Sequence, residues 1–312
     1  MILSVSRRTD IPSYYSEWFY RRLKEGFVWV RNPMNPKQIS EISLSPEVVD
    51  GIVFWTKNPA PMLERLEELS PYSYYFQFTL TPYDRDVECN LPPKEELIAT
   101  FQRLSAAAGR ERVVWRYDPI LLNEKYTIAY HVQQFEYFCD QLAACTEKCT
   151  ISFLDLYQNM KRRIAPLHIT APTPAQQEEL AQAFGEIATA HGLGIDTCAE
   201  TADFARFGIG HAACIDRERL ERIAGCSLHL ERDRNQRAAC GCAASIDIGA
   251  YHTCRNGCIY CYANHDQRLV NESGSRLDLT SPLLCSQRRP EDQVKIREVH
   301  SCREGQISLF EL

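Results

Sequence analysis

Apolar residues in this chain fall into short dense blocks separated by longer amphipathic stretches. Segments 2–5, 51–56, 74–81, 113–117, 150–156 and 193–197 are compact runs rich in Ile, Val, Phe, Tyr and Trp, which reads as buried strands. Between them, 14–24, 61–69, 94–108, 128–144 and 174–191 carry apolar positions at helical spacing, with Pro61 suited to a first helical turn. Segments 27–31 and 38–44 read as a side excursion of two extended pieces. Strands alternating with helices predict βα units on a parallel sheet and so an α/β fold. There is no repeat, low-complexity tract or long linker.

The pattern changes near residue 250, where the run Cys254-Arg-Asn-Gly-Cys258-Ile-Tyr260-Cys261 follows an extended segment, 245–251. Positions i, i+4 and i+7 share one stripe of a helix, and free cysteines pack as small hydrophobes. Arg255-Asn256-Gly257 is turn chemistry, however, and glycine disfavours a helix interior. A loop aiming three sulfurs inward suits a metal. Three thiolates can hold three irons of a cubane cluster and leave the fourth open; a zinc ion completed by His252 or another cysteine is the competing arrangement.

This spacing, with an aromatic residue just before the third cysteine, resembles the signature of the radical S-adenosylmethionine enzymes. The wider run, Gly249-x-Tyr251 through Cys-Arg-Asn-Gly-Cys-Ile-Tyr-Cys-Tyr-Ala-Asn264, resembles the spore photoproduct lyase branch. The whole chain also resembles a bacterial family catalogued as domain of unknown function 1848, through Ser4-Val-Ser-Arg-Arg-Thr-Asp-Ile-Pro12, Phe54-Trp-Thr-Lys-Asn-Pro59 and Cys240-Gly-Cys242.

These resemblances imply a partial (β/α) barrel whose first strand delivers the three-cysteine loop. Here that strand, 245–251, comes late, while 1–12 resembles the second barrel strand and Trp55-Thr-Lys57-Asn the third. The expectation is a circular permutation, made easy when chain ends lie close together at the surface. Residues 1–200 would supply strands two onward, 201–243 a cysteine-containing connector, and 244–312 the first strand, its loop and a helix closing the same barrel beside residue 1.

The resemblance further implies that Cys254, Cys258 and Cys261 hold a [4Fe-4S] cluster and that the open iron binds S-adenosylmethionine. Reductive cleavage would give a 5′-deoxyadenosyl radical, with electrons from a flavodoxin or ferredoxin. Lys57 or Arg116 is expected to pair with the cofactor carboxylate, and Tyr260 and Tyr262 to pack on the cofactor. In βα barrels the reacting groups sit at the C-terminal ends of strands. Those ends offer Arg7, Arg8 and Asp10; Lys57 and Asn58; Tyr83; Arg116, Tyr117 and Asp118; Asp155, Tyr157 and Gln158; and Asp196, Cys198 and Glu200. Aspartates and arginines at such ends also cap helices or pair with one another. Asp10, Asp118 and Asp155 are candidates for ribose hydroxyls or substrate; no catalytic residue is singled out.

A second cysteine set, Cys198, Cys214, Cys240 and Cys242, is expected near the same mouth. It would hold an auxiliary iron–sulfur cluster or a tetrahedral zinc, with Cys226 able to replace a member. Cys89, Cys139, Cys145, Cys149, Cys285 and Cys302 read as scattered structural thiols.

Bulk properties narrow the partners. The 312 residues are 45% hydrophobic and 24% charged, ordinary for a globular protein, and no apolar stretch approaches the ~20 residues of a membrane span. The start lacks a secretory pattern, so a cytoplasmic location is expected. There, 14 cysteines point to metals rather than disulfides. A net charge of −6 gives no general attraction to nucleic acid; Arg232, Arg234 and Arg237, and Arg288 with Arg289, are the local basic runs. The expected substrate is a small molecule, a peptide or a nucleobase, including one in a nucleic-acid lesion. Two rival readings use the same cysteines: a structural zinc protein and an iron–sulfur electron carrier.

Overall fold

The computed structural model describes residues 1–304. Its frame is an eight-stranded sheet in which every adjacent pair is parallel. In chain order the strands are β1 (Ile2–Val5), β2 (Phe27–Arg31), β3 (Gln38–Ser43), β4 (Gly51–Thr56), β5 (Tyr74–Thr79), β6 (Val113–Ile120), β7 (Lys148–Phe153), β8 (Gly194–Thr197), β9 (Gly210–His211), β10 (Ile246–Asp247) and β11 (Gln293–Ile296). The main sheet runs β10-β1-β4-β5-β6-β7-β8-β9, and β11-β3-β2 form a small second sheet.

This is an α/β fold and a partial barrel: the sheet is open, with β9 and β10 at its edges. The permuted order is realised directly, because the late strand β10 pairs in parallel with β1 at the head of the sheet. The segment after it differs from the expectation. A helix, Gln267–Ser275, does follow, but β11 joins the side sheet beside β3. The chain nevertheless returns to its start, where the Met1 ammonium donates to the His300 carbonyl at 2.8 Å. The last part of the expected closing segment, 305–312, lies outside the described residues. The stretch 201–243 is more than a connector, since β9 adds the final strand and Arg217–Ala224 a helix.

The period-two alternation of strand side chains divides the core in two. Leu3, Val5, Phe54, Phe76, Trp115 and Tyr117 point to the face covered by helices, in one cluster with Phe19, Phe101, Phe135 and Phe184. Phe54 stacks on Phe76 at 4.6 Å between centroids, and Phe135 on Phe184 at 4.0 Å. The alternate residues Ile2, Val53, Tyr75 and Val114 face the other way and pack with Leu220, Leu228, Cys214, Cys240 and Cys242. The segment that carries the second cysteine set is therefore the lining of the inner face.

Helix boundaries shifted where local chemistry overrode periodicity. The helix expected over 14–24 is two pieces, Ile11–Tyr14 and Ser16–Glu25, broken at Tyr15. The first is capped by Asp10, which accepts from Ser13 N at 3.0 Å. Segment 61–69 is a 3₁₀ helix, Ala60–Leu69. No helix among the described residues is long and apolar enough to cross a membrane.

Candidate metal and cofactor centre

Along each central strand the inner face turns from apolar to polar toward the C-terminal end. Val53 is followed on that face by Trp55 and Lys57, Tyr75 by Gln77 and Thr79, and Val114 by Arg116 and Asp118. These ends form one wall of a cavity of about 660 Å³. That volume falls within the range of small-molecule and cofactor pockets.

All three loop cysteines, Cys254, Cys258 and Cys261, line this cavity. Their strand is tied to β1 by Asp247, whose carboxylate accepts from Ser4 Oγ at 2.9 Å, Ser6 Oγ at 2.7 Å and Arg7 N at 2.8 Å. At Gly249 the backbones approach so closely that a Cβ would lie 1.9 Å from Ser6 Oγ. The loop then closes as its sequence suggests: Gly257 adopts φ +69°, where glycine alone is unstrained. The Asn256 amide donates to Asp10 Oδ2 at 3.1 Å, Tyr14 Oη donates to Asn256 Oδ1 at 2.9 Å, and Tyr15 Oη to the Thr253 carbonyl at 2.6 Å. Asn264 holds the Cys254 carbonyl at 2.7 Å, and Arg163 binds that of Cys261. Burial pushes the Cys254 thiol up to about 12 and raises Cys258 and Cys261 as well, so metal binding there must displace protons.

His252 is not a cavity residue; its Nδ1 accepts from His265 N at 3.2 Å. Cys89, expected to be a scattered thiol, lies against Gly257 at the back of the loop but is exposed and does not line the cavity.

Lys57, Arg116, Tyr260 and Tyr262 all line the cavity, and each is already engaged. Lys57 Nζ lies 2.7 Å from Glu88 Oε1. Burial alone would discharge Lys57; Glu88 outweighs it and leaves its pKa raised. Glu88 also binds Lys94 at 2.5 Å, accepts from Thr81 Oγ1 at 2.8 Å and accepts from the Tyr260 hydroxyl. Burial would raise this carboxyl, but the two ammonium groups bring it down to about 2. Arg116 pairs with Asp118 and donates Nη1–H to Cys214 Sγ at 2.8 Å. Tyr262 Oη donates to the Arg7 carbonyl at 2.6 Å. The least committed cation on the wall is Arg7, whose Nη2 is buried with no hydrogen-bond partner among the described residues.

Not every strand-end residue reaches the cavity. Arg7, Arg8, Asp10, Asp118, Asp155, Tyr157 and Cys198 do. Tyr117 faces the helices and donates to His131 Nδ1 at 2.8 Å, and Tyr83 packs behind Tyr260 and donates to the Pro119 carbonyl at 2.7 Å. Asp196 sits a layer deeper, paired with Lys148 at 2.6 Å. Glu200 accepts from Phe153 N at 2.9 Å, Asn58 accepts from Ala60 N at 3.2 Å, and Gln158 is exposed. The local basic run that includes Arg237 proves to border the cavity, to which it brings Asn235, Gln236 and Arg237 from the loop before Cys240; Arg237 pairs with Asp155. In sequence the run reads only as a local basic patch, and nothing there singles out Asn235 or Gln236.

The second cysteine set shares the cavity: Cys198, Cys214, Cys240 and Cys242 all line it, whereas Cys226 does not. Among the described residues, no group of three or more His, Cys, Asp or Glu is arranged as it stands to hold one metal ion.

A family model described as Domain of unknown function (DUF1848) matches residues 2–263. The chain belongs to that family. The DUF1848 match takes in both cysteine sets and ends two residues after Cys261. No curated protein and no solved structure matches the chain.

Proposed function

We propose that this protein is a radical S-adenosylmethionine enzyme of the spore photoproduct lyase-like type. The observation that carries the reading is that Cys254, Cys258 and Cys261, from one pinned loop, line a 660 Å³ cavity at the C-terminal ends of parallel strands. Their donor set fits a cubane cluster: three thiols, each free to take a different iron. A [4Fe-4S] cluster held by Cys254, Cys258 and Cys261 would supply one electron to S-adenosylmethionine, whose sulfonium C–S bond would break to give methionine and a 5′-deoxyadenosyl radical.

The chain's own residues have three tasks. The Asp10–Asn256 bond and the Tyr15 hydroxyl hold the loop. Glu88 fixes Lys57 and Tyr260 beside Cys258. Arg7 offers a buried, unsatisfied guanidinium nitrogen, suited to a carboxylate such as that of the cofactor's methionyl end. The remaining wall mixes Arg8, Asp118, Asp155, Asn235, Gln236 and Tyr157, which favours a polar substrate: a small molecule, a peptide side chain or a nucleobase. An electron carrier would have no use for such a cavity.

The reading is tested by anaerobic reconstitution with iron and sulfide, followed by electron paramagnetic resonance of the reduced protein with and without S-adenosylmethionine. A cluster signal that changes on cofactor addition supports it. A protein that takes up no iron, or whose signal ignores the cofactor, overturns it.

A further inference from the structure

Seven cysteines line the cavity, and the loop accounts for three. The other four come from separate places: Cys198 just after β8, Cys214 after β9, and Cys240 and Cys242 from the segment returning toward β10. Each is placed by backbone contacts rather than left on a free loop. Cys198 N donates to the Ile151 carbonyl at 2.8 Å. The Cys214 carbonyl accepts from both Tyr75 Oη at 2.6 Å and Gln77 Nε2 at 2.8 Å, so two sheet residues fix its position. The Cys242 carbonyl accepts from Asp233 N at 2.9 Å, and Cys242 Sγ accepts from Ile215 N at 3.4 Å. Between the last two cysteines, a Cβ on Gly241 would stand only 3.1 Å from the Ala212 carbonyl oxygen. The glycine lets the pair lie flat against the neighbouring strand.

The sulfurs are close together. Cys198 and Cys214 Sγ are 3.1 Å apart, and Cys240 and Cys242 line the same cavity beside them. One pair of the four thiols touches, and the four are not arranged as a tetrahedron as they stand. Four sulfurs on one zinc at ~2.3 Å stand ~3.8 Å from each other, a spacing that the Cys198–Cys214 pair approaches at 3.1 Å. Thiolates of a cubane cluster bind separate irons and stand farther apart; the close approach of Cys198 to Cys214 favours a single ion.

Charge supplies the independent argument. Arg116 donates to Cys214 Sγ at 2.8 Å. Arg7 Nη2 is buried without a hydrogen-bond partner among the described residues, and Arg7 lines the same cavity as Cys214 and Cys242. Both guanidiniums lie against Trp55, 5.0 and 5.3 Å from its ring centroid. Asp118 already neutralises Arg116; Arg7 is the cation left with an unpartnered nitrogen, and a zinc tetrathiolate, which carries two negative charges, would compensate it.

We infer that Cys198, Cys214, Cys240 and Cys242 form a closed tetrathiolate site for one zinc ion, which fastens the segment 198–242 across the inner face of the sheet and builds one wall of the cavity. The site has no open position, so it positions rather than reacts. It does not depend on what the Cys254 loop binds.

The test uses the full chain, made with iron and zinc both supplied and purified anaerobically, in wild-type form and as the triple variant Cys254→Ala, Cys258→Ala, Cys261→Ala. Metal content is measured by mass spectrometry and the zinc shell by X-ray absorption. The expected result is about one zinc per chain in both proteins, with sulfur-only ligation. The double variant Cys240→Ser, Cys242→Ser should lose that zinc, and if it fails to fold the triple variant still decides. A folded triple variant without zinc overturns the inference, as does one retaining iron and sulfide. Absence of iron in the wild type would instead strike the radical-enzyme reading and leave the zinc result standing.

Discussion

Asn256, in the middle of the cysteine loop, donates its side-chain amide to Asp10 Oδ2 at 3.1 Å. Asp10 also caps the helix Ile11–Tyr14 and accepts from Lys57 N at 2.7 Å. One buried carboxylate thus joins the loop from the late strand β10 to the ends of β1 and β4. It is the contact through which residues near the start of the chain set the position of cysteines some 240 residues later.

Asn256→Ala should therefore loosen the loop without unfolding the sheet. Leaving a buried carboxylate oxygen short of a donor costs about 1–3 kcal/mol. The expected outcome is a modest drop in melting temperature with a several-fold lower iron content after reconstitution. Unchanged iron content would show that the loop is positioned by other contacts.

Glu88 is the hub under Cys258. Glu88→Gln leaves Lys57 and Lys94 buried beside a neutral amide, and breaking such a buried pair costs about 3–5 kcal/mol. Because the folded-state carboxyl lies at about 2, below its ordinary value, its contribution is present above about pH 4.5 and lost as pH falls toward about 2. Chemical denaturation of wild type and variant across that interval checks this: the difference between them should shrink with acid, and a constant difference would contradict it.

His131 titrates at milder pH. It is buried between the Tyr117 hydroxyl and the Leu121 carbonyl, each 2.8 Å from a ring nitrogen, and burial lowers its pKa to about 4. The unfolded chain takes up this proton first, so the folded state is favoured above about pH 6.5 and loses about 3 kcal/mol as pH falls to about 4. His131→Asn should flatten the stability profile over that range, read from urea midpoints at several pH values. A wild-type profile that is flat there would refute the assignment.

Gly249→Val tests the crossing of β10 and β1. Its Cβ would meet Ser6 Oγ at 1.9 Å and Ser6 Cβ at 2.6 Å, which no side-chain rotation alone relieves. Overpacking of this kind costs about 1–3 kcal/mol, and thermal unfolding should record the loss. The paired variant Ser6→Gly, Gly249→Val should recover part of it; no recovery would mean the clash lies elsewhere.

What the sequence disclosed depended on distance along the chain. The three-cysteine loop was legible because its ligands and its turn residues lie within eight positions. The parallel sheet was legible from the apolar blocks, and the permuted order from the late position of the loop set against the strand order that the family resemblance implies. Reading strand ends as a uniform ring failed where alternation intervenes. Arg116 and Tyr117 are neighbours in sequence and so must face opposite sides; only Arg116 reaches the cavity. Glu88 gave no signal at all. It lies in the polar stretch between Thr81 and Lys94, and only the tertiary fold turns it inward onto Lys57, Lys94 and Tyr260. The convergence of Cys198 and Cys214 with the Cys240–Cys242 pair rested on topology: β8 and β9 end beside the segment that leads to β10.

The central claim is that the Cys254 loop supports reductive cleavage of S-adenosylmethionine. The most direct measurement is 5′-deoxyadenosine formation, followed by chromatography, in anaerobically reconstituted protein reduced with dithionite. The triple variant Cys254→Ala, Cys258→Ala, Cys261→Ala is the control. Product and methionine in equal amounts from the wild type and none from the variant is the expected result. Iron-loaded wild type that leaves the cofactor intact would contradict it.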